Sequence, residues 1–295
     1  MTIDKAVISV VLGSYNRKWL LQLCIESIRD NGITVPYEII AIDGGSTDGT
    51  LEWLIEQRDI ITILQHNRIV VDGKKTMKRS WGYFVNLGFK SAQGKYICMV
   101  SDDCIVHPGS IMSGYRLLEK EEHNKVRACA FYFRDYPKGD RYKVGYTLGD
   151  KLSVNHGMYR RDVMEEIGWI DEDYYRFYHA DGDLCLKIWQ RGYQIIDCPA
   201  AKVDHYVDPY SHTRLQTREV IDQKVDWSRY LERWTGIFYD PMRNNKGRWT
   251  LLEGEANDKF AELFAQHKPF EPLSYPRRNV IRAKWLIRRI ISRIV

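Results

Sequence analysis

Short runs rich in β-branched residues alternate with segments of helical periodicity through the first third of the chain, and that alternation constrains the fold more than any other feature. Val7 to Gly13, Tyr37 to Asp43, Ile60 to Gln65 and Tyr96 to Val100 read as strands. Between them, Lys18 to Asp30 places Leu20, Leu21, Cys24, Ile25 and Ile28 on one helical face. Thr50 to Arg58 reads as a helix that Ser46 or Asp48 caps, and a third helix ends near Ser91. Strand–helix units repeated in this way predict an α/β chain: a mostly parallel sheet with helices on both faces.

The second half is less regular. Ala128 to Arg134 and Val154 to Arg160 read as strands around a turn-rich, aromatic stretch from Tyr136 to Gly149. Arg161 to Ile167 is a short helix stopped by Gly168, and Asp183 to Arg191 a helix closed by Gly192. Tyr193 to Cys198 and Lys202 to Tyr206 are expected as edge strands, and the chain beyond Asp208 as a helical C-terminal extension.

Composition removes several classes of protein. With 44% hydrophobic and 28% charged residues over 295 positions, the chain has ample core and is neither disordered nor fibrous. No window approaches the ~18 apolar residues of a spanning helix. The run from Ala6 to Leu12 enters Gly13-Ser14-Tyr15-Asn16-Arg17 without a cleavage pattern, so the chain is expected to stay in the cytoplasm. The six cysteines form no C-x-x-C pair and sit in apolar runs, as reduced core residues do. The net charge of +5 is local: positions 277–295 carry seven basic residues and no acidic one, leaving the body at −2. A nucleic-acid groove is therefore not expected in the body.

Open parallel sheets bind ligands beyond the carboxyl ends of their strands. Three polar clusters fall there: Ser14-Tyr15-Asn16, Asp43-Gly44-Gly45-Ser46-Thr47-Asp48 and Ser101-Asp102-Asp103. The adjacent carboxylates Asp102 and Asp103 are costly to hold together without a cation, and oxygen ligands suit Mg²⁺ or Mn²⁺ completed by phosphate and water. His205, at the end of an apolar strand, is a candidate neutral imidazole ligand for the same ion. Asp181 and Asp183 begin a helix; local sequence favours Asp181 as its N-cap over a general base, and a helix N-terminus favours the charged carboxylate.

Taken together, these residues resemble family 2 glycosyltransferases. Val7 to Arg17 is similar to that family's opening strand and S/T-Y-N-R turn, and Ile39 to Thr50 to its D-[DN]-G-S-T-D-G-T segment. Asn86-Leu87-Gly88 followed by Gly94-Lys95-Tyr96-Ile97 resembles the segment before its metal motif. Gly168-Trp169-Ile170-Asp171-Glu172 and Asp181-Gly182-Asp183-Leu184-Cys185 resemble its acceptor half. The resemblance spans roughly residues 6 to 206. It implies the Rossmann-like glycosyltransferase A fold and an inverting transfer from a UDP, GDP or dTDP sugar to a saccharide or lipid-linked acceptor. Residue by residue, it implies Tyr15 and Asp43 on the nucleobase, Asp102 on the ribose, Asp103 and His205 on Mn²⁺ or Mg²⁺, and Asp181 as the base. Ser14, Asn16, Lys78, Arg79 and Trp169 complete the expected nucleotide-sugar contacts, with Lys74 and Lys75 further candidates for the diphosphate. Three positions depart from the pattern: Ser101 replaces the first metal-motif Asp, Ala180 the Glu before the base, and Gly44 the second Asp or Asn.

The implied organisation is a catalytic domain over 1–206 (nucleotide-sugar half 1–103, acceptor half 104–206), a helical extension over 207–276 and a tail over 277–295. In the tail, Val280, Ile287, Ile290, Ile291 and Ile294 share one helical face, Arg282, Arg289 and Arg293 lie opposite, and Trp285 is present. That pattern suits an anionic membrane surface, the protein's own body or a second subunit in a homo-oligomer. The rival readings are a sugar nucleotidyltransferase and a glycosyltransferase-like binding protein weakened by Ser101 and Ala180.

Overall fold

The computed structural model describes residues 5–66, 70–71, 73–75, 79–120, 125–136, 139, 141–207, 223–242, 248–252 and 262. The chain divides into two units, Met1–Ala256 and Asn257–Val295, and the account below concerns the first.

The parallel half comprises β1 (Ile8–Ser14), α1 (Lys18–Arg29), β2 (Tyr37–Asp43), α2 (Thr50–Glu56) and β3 (Ile60–Leu64). The short hairpin β4 (Val70–Val71) and β5 (Lys74–Lys75), helix α3 (Trp81–Ser91) and β6 (Tyr96–Met99) follow. Strand β1 runs parallel to both β2 and β6, and β2 to β3. Side chains alternate across a strand. Val10 and Leu12 accordingly join the core under α1 with Leu21, Cys24 and Ile25, while Val11 joins Phe84, Val85 and Phe89 of α3 on the other face. Gly94 brings the turn after α3 against β1: a Cβ there would lie 2.7 Å from the Ser9 nitrogen.

The remaining elements are β7 (Cys104–Val106), α4 (Ser110–Glu119), β8 (Val126–Tyr136), β9 (Tyr142–Thr147), β10 (Lys151–Leu152), β11 (Gly157–Arg160) and α5 (Arg161–Glu166). After them come α6 (Ala180–Gln190), β12 (Gln194–Tyr206), α7 (Gln223–Trp234) and β13 (Trp249–Leu252). The main path of the sheet runs β10-β9-β8-β11-β6-β1-β2-β3, and β11 is antiparallel to both β6 and β8.

Three local expectations change. The turn-rich stretch contains strand β9, whose Tyr142 and Val144 are buried. The two expected edge strands are one strand, β12, paired with β8 on one side and β7 on the other, with a register shift between Cys198 and Lys202 where Pro199 interrupts the ladder. The expected helical extension contributes α7 and also β13, which pairs with β9. All six cysteines are free and buried.

Candidate active site

The turns after β1 and β2 are built from side chains satisfying backbone groups. Ser14 stands opposite Asp43 in the β1–β2 register, and the Gly44 amide donates to the Ser14 carbonyl at 2.9 Å. Asp43 Oδ1 accepts the Gly45 and Ser46 amides, both at 2.8 Å, while its Oδ2 is buried without a donor among the described residues. Asn16 adopts φ 51°; its amide donates to Ser46 Oγ at 2.8 Å and its Oδ1 accepts the Thr47 amide at 2.7 Å. Gly44 has a packing reason, since a Cβ there would lie 3.3 Å from the Tyr15 side chain. Asp48 caps α2 from one residue before its N-cap, Gly49, by accepting the Thr50 amide at 3.1 Å.

Arg17 completes the first turn and reaches the third cluster. Its Nη1 donates to Asp102 Oδ1 at 2.9 Å and to Asp103 Oδ2 at 2.8 Å, and both carboxylates are buried. The cation demanded by the adjacent carboxylates is thus partly supplied by the chain itself. Asp103 Oδ1 has no hydrogen-bond donor of good geometry, yet His205 Nε2 lies 3.4 Å from it, and His205 Nδ1 lies 3.0 Å from Asp135 Oδ1. Burial alone would lower the His205 pKa; Asp103 and Asp135 outweigh it and raise the value to about 9. The imidazole expected as neutral therefore carries a proton in this arrangement, because two carboxylates flank it. Burial opposes the charge on Asp103 as well, but His205 and Arg17 hold its carboxyl well below the usual range. Asp102 is raised, by burial first, with Arg17 opposing and Asp103 reinforcing the shift. His156, buried beside the His205 ring at 5.4 Å between centroids, is driven down to about 3 by burial and by His205.

This set fits a divalent cation as a two-donor platform. It offers a buried carboxylate oxygen with no hydrogen-bond donor of good geometry and, once a cation displaces the Nε2 proton, an imidazole nitrogen whose partner nitrogen is oriented by a second carboxylate, a common supporting arrangement for metal-bound histidine. Among the described residues no group of three or more His, Cys, Asp or Glu converges to enclose an ion, so phosphate and water would complete the shell.

Asp181 sits in the first turn of α6 rather than at its N-cap. That position belongs to His179 at φ 65°, and Asp181 Oδ1 accepts the neighbouring Gly182 amide at 2.9 Å. Burial raises the Asp181 pKa, against the Gly182 amide and His179. The elevation expected from the Glu that Ala180 replaces is here supplied by desolvation. Asp183, by contrast, is structural: it is wholly buried and accepts Tyr175 Oη and Trp234 Nε1, both at 3.0 Å. Helix α6 reaches the metal-side cluster through a chain of contacts. The Val154 amide donates to Cys185 Sγ at 3.3 Å, and two residues on, His156 packs on His205.

Ser14, Tyr15, Asn16, Asp43, Asp102, Asp103 and His205 are therefore linked around one rim, and α6, whose first turn carries Asp181, packs through Cys185 on Val154, two residues before His156. Other expected residues are engaged elsewhere. Trp169 takes φ 62°, donates its amide to Met164 O at 2.8 Å, accepts Lys187 Nζ on its carbonyl and packs on the core. Arg79 lies over the Tyr83 ring at 4.8 Å, and Lys74 is exposed. Lys78, the Lys75 side chain and positions 277–295 lie outside the described residues. Arg17 appeared in the sequence only as part of a turn, although the charge of Asp102 and Asp103 called for such a cation. Asp135, His156 and Asp226 carried no local signal.

A parallel half whose strand ends gather a turn cradle and a buried acidic cluster, joined to a mixed half bearing a helix-borne carboxylate, defines a glycosyltransferase A-type fold. A crystal structure of S. aureus TarS 1-349 in complex with UDP shares it, with a TM-score of 0.52 at 15% identity over 77% of this chain and 70% of that one. The chain belongs to glycosyl transferase family 2, whose model matches residues 9–175. The match ends before Asp181 and His205. Bacillus subtilis YwdF, described as an uncharacterized glycosyltransferase, is 27% identical over 213 residues, covering 66% of this chain and 72% of that protein. Sinorhizobium fredii y4gI is 22% identical over 275 residues, covering 81% of this chain but only 29% of that protein; this chain thus corresponds to less than a third of that relative's length.

Proposed function

We propose that the chain transfers a sugar from a nucleoside diphosphate-sugar to a hydroxyl acceptor with inversion at the anomeric carbon. The observation that carries this reading is the rim itself. Asp43 Oδ2 is a buried acceptor without a donor among the described residues, and the turn of Asn16 and Arg17 links its loop to an acidic cluster that carries an oriented imidazole. Asp43 suits the ring N–H of uracil, thymine or guanine, with Tyr15 beside it, and Asp102 suits a ribose hydroxyl. Asp103 and His205 would hold Mn²⁺ or Mg²⁺, and such an ion, when bound, supplies positive charge to the departing diphosphate.

Asp181 takes the proton of the acceptor hydroxyl while that oxygen bonds to the anomeric carbon and the carbon–phosphate oxygen bond breaks, the electron pair leaving with the nucleoside diphosphate. Its burial-raised pKa moves it toward the working range of a general base. This favours an enzyme over the binding-protein alternative that Ser101 and Ala180 keep open. A positioned base typically contributes ~10²- to 10⁴-fold. Asp181→Asn is expected to lose transfer by that factor and to bind nucleotide as before. Its wild-type turnover would remove Asp181 from the mechanism.

Among the described residues no helix is long and apolar enough to cross a membrane. The basic amphipathic pattern of 277–295 supports a peripheral site on an anionic membrane face and a lipid-linked saccharide acceptor. Flotation with phosphatidylglycerol liposomes should fall when 277–295 is deleted; equal flotation would end that reading.

A further inference from the structure

Helix α7 presents Asp226, Tyr230 and Trp234 at spacings of four, all buried, so one face of the helix is turned onto the protein. That face meets the segment leading to Asp181. Asp226 is wholly buried, and its carboxylate accepts three successive backbone amides: Arg176 on Oδ1 at 3.0 Å, and Phe177 and Tyr178 on Oδ2, both at 2.9 Å. The carbonyl of Arg176 is held from the other side by the Trp81 amide at 2.9 Å. Arg229 Nη1 donates to the Tyr174 carbonyl at 2.7 Å, and Arg233 Nη1 to Asp171 Oδ2 at 2.7 Å.

Arg176 is exposed, and Phe177, 37% exposed, meets Trp81 only at 6.2 Å between ring centroids. The three backbone contacts are therefore a principal hold on the path of this segment. From Tyr178 the chain turns through His179 in the left-handed region, uncommon for a residue with a Cβ, where the imidazole stacks on Tyr230 at 5.1 Å and 16°. Ala180 and Asp181 follow at once. We propose that Asp226 is a positioning residue for Asp181: through the amides of 176–178 it fixes the loop that aims the base at the acceptor hydroxyl. This rests on the reading of Asp181 as the base.

A displacement of ~1 Å in a reacting group can lower a rate by ~10²-fold. Asp226→Asn keeps the size of the side chain but loses the charge and turns an NH₂ toward backbone donors. It is expected to lower kcat by ~10- to 100-fold while nucleotide affinity stays within twofold. The titratable groups facing Asp181 are His179 on its loop, Cys185 on α6, Tyr159 on β11 and Tyr230 on α7. A relaxed loop exposes Asp181 to water, so the acid limb of kcat should move to lower pH. A lower melting temperature with wild-type kcat and limb, both measured well below it, would mean a merely structural role and overturn the proposal. Should the variant not fold, hydrogen exchange on the wild-type chain decides. Strong protection of the 176–178 amides supports the proposal, and exchange at the rate of an exposed loop overturns it. An inactive Asp181→Asn beside a fully active Asp226→Asn refutes this inference alone. A fully active Asp181→Asn refutes the base reading instead.

Discussion

Replacing Arg17 by Met keeps an unbranched apolar stem of similar length and removes the guanidinium that bridges Asp102 and Asp103. At 2.8 and 2.9 Å, and at an effective dielectric of ~20, each contact is worth roughly 6 kcal/mol of gross Coulomb attraction. Most of that is offset by the water the three groups give up. Removing one partner of a buried pair leaves a net loss of ~3–5 kcal/mol. The Arg17 side chain retains 21% of its exposure, so the lower end of that range applies, about 3 kcal/mol. For a domain of this size that corresponds to a fall in melting temperature of roughly 6–12 °C. Urea unfolding should show a lower midpoint with an unchanged slope, because the surface exposed on unfolding is the same. The companion variant Arg17→Met/Asp102→Asn removes the carboxylate that His205 does not reach and should recover part of the loss, a non-additivity expected of groups in contact. A loss below ~1 kcal/mol in Arg17→Met would refute the reasoning, for it would mean that the carboxylates do not depend on this cation.

Asp103→Ala should abolish the Mn²⁺-dependent part of nucleotide binding in calorimetry run with and without the metal; unchanged affinity would refute its role as a ligand. Asp181→Asn carries a stability prediction as well. Its folded pKa is raised, so folding favours the protonated form, and ionisation weakens the folded state as pH rises through that value. The variant should therefore gain stability relative to wild type as pH rises from below ~3.9, the unfolded value, toward neutrality, and a pH-independent difference in melting temperature would contradict the burial of the carboxylate.

The parallel half was legible because local rules suffice there. Strands buried on both faces, as β1 and β6 are, read as short apolar runs, the helices between them must carry a stripe, and the edge strand β3 is still β-branched, so β1, α1, β2, β3 and β6 are legible with their ends nearly right. The second half obeyed tertiary demands instead. Strand β9 contains Gly145 and is flanked by the turn formers Pro137, Gly139, Asp140 and Gly149, and β12 crosses Pro199, so neither stands out from its surroundings; both form because their neighbours in the sheet complete their hydrogen bonds.

By itself the sequence determined which polar residues end the parallel strands, since a strand's last residue and the turn after it are fixed by neighbours in the chain. Tyr15, Asp43, Asp102 and Asp103 could therefore be read in advance. Only the tertiary structure decided how their charges are met. Arg17 reaches residues eighty-odd positions away, Asp135 and Asp103 together raise the His205 pKa, and Asp226 holds the loop before Asp181. Electrostatic energy depends on distance in space and on burial, and neither is a property of position along the chain.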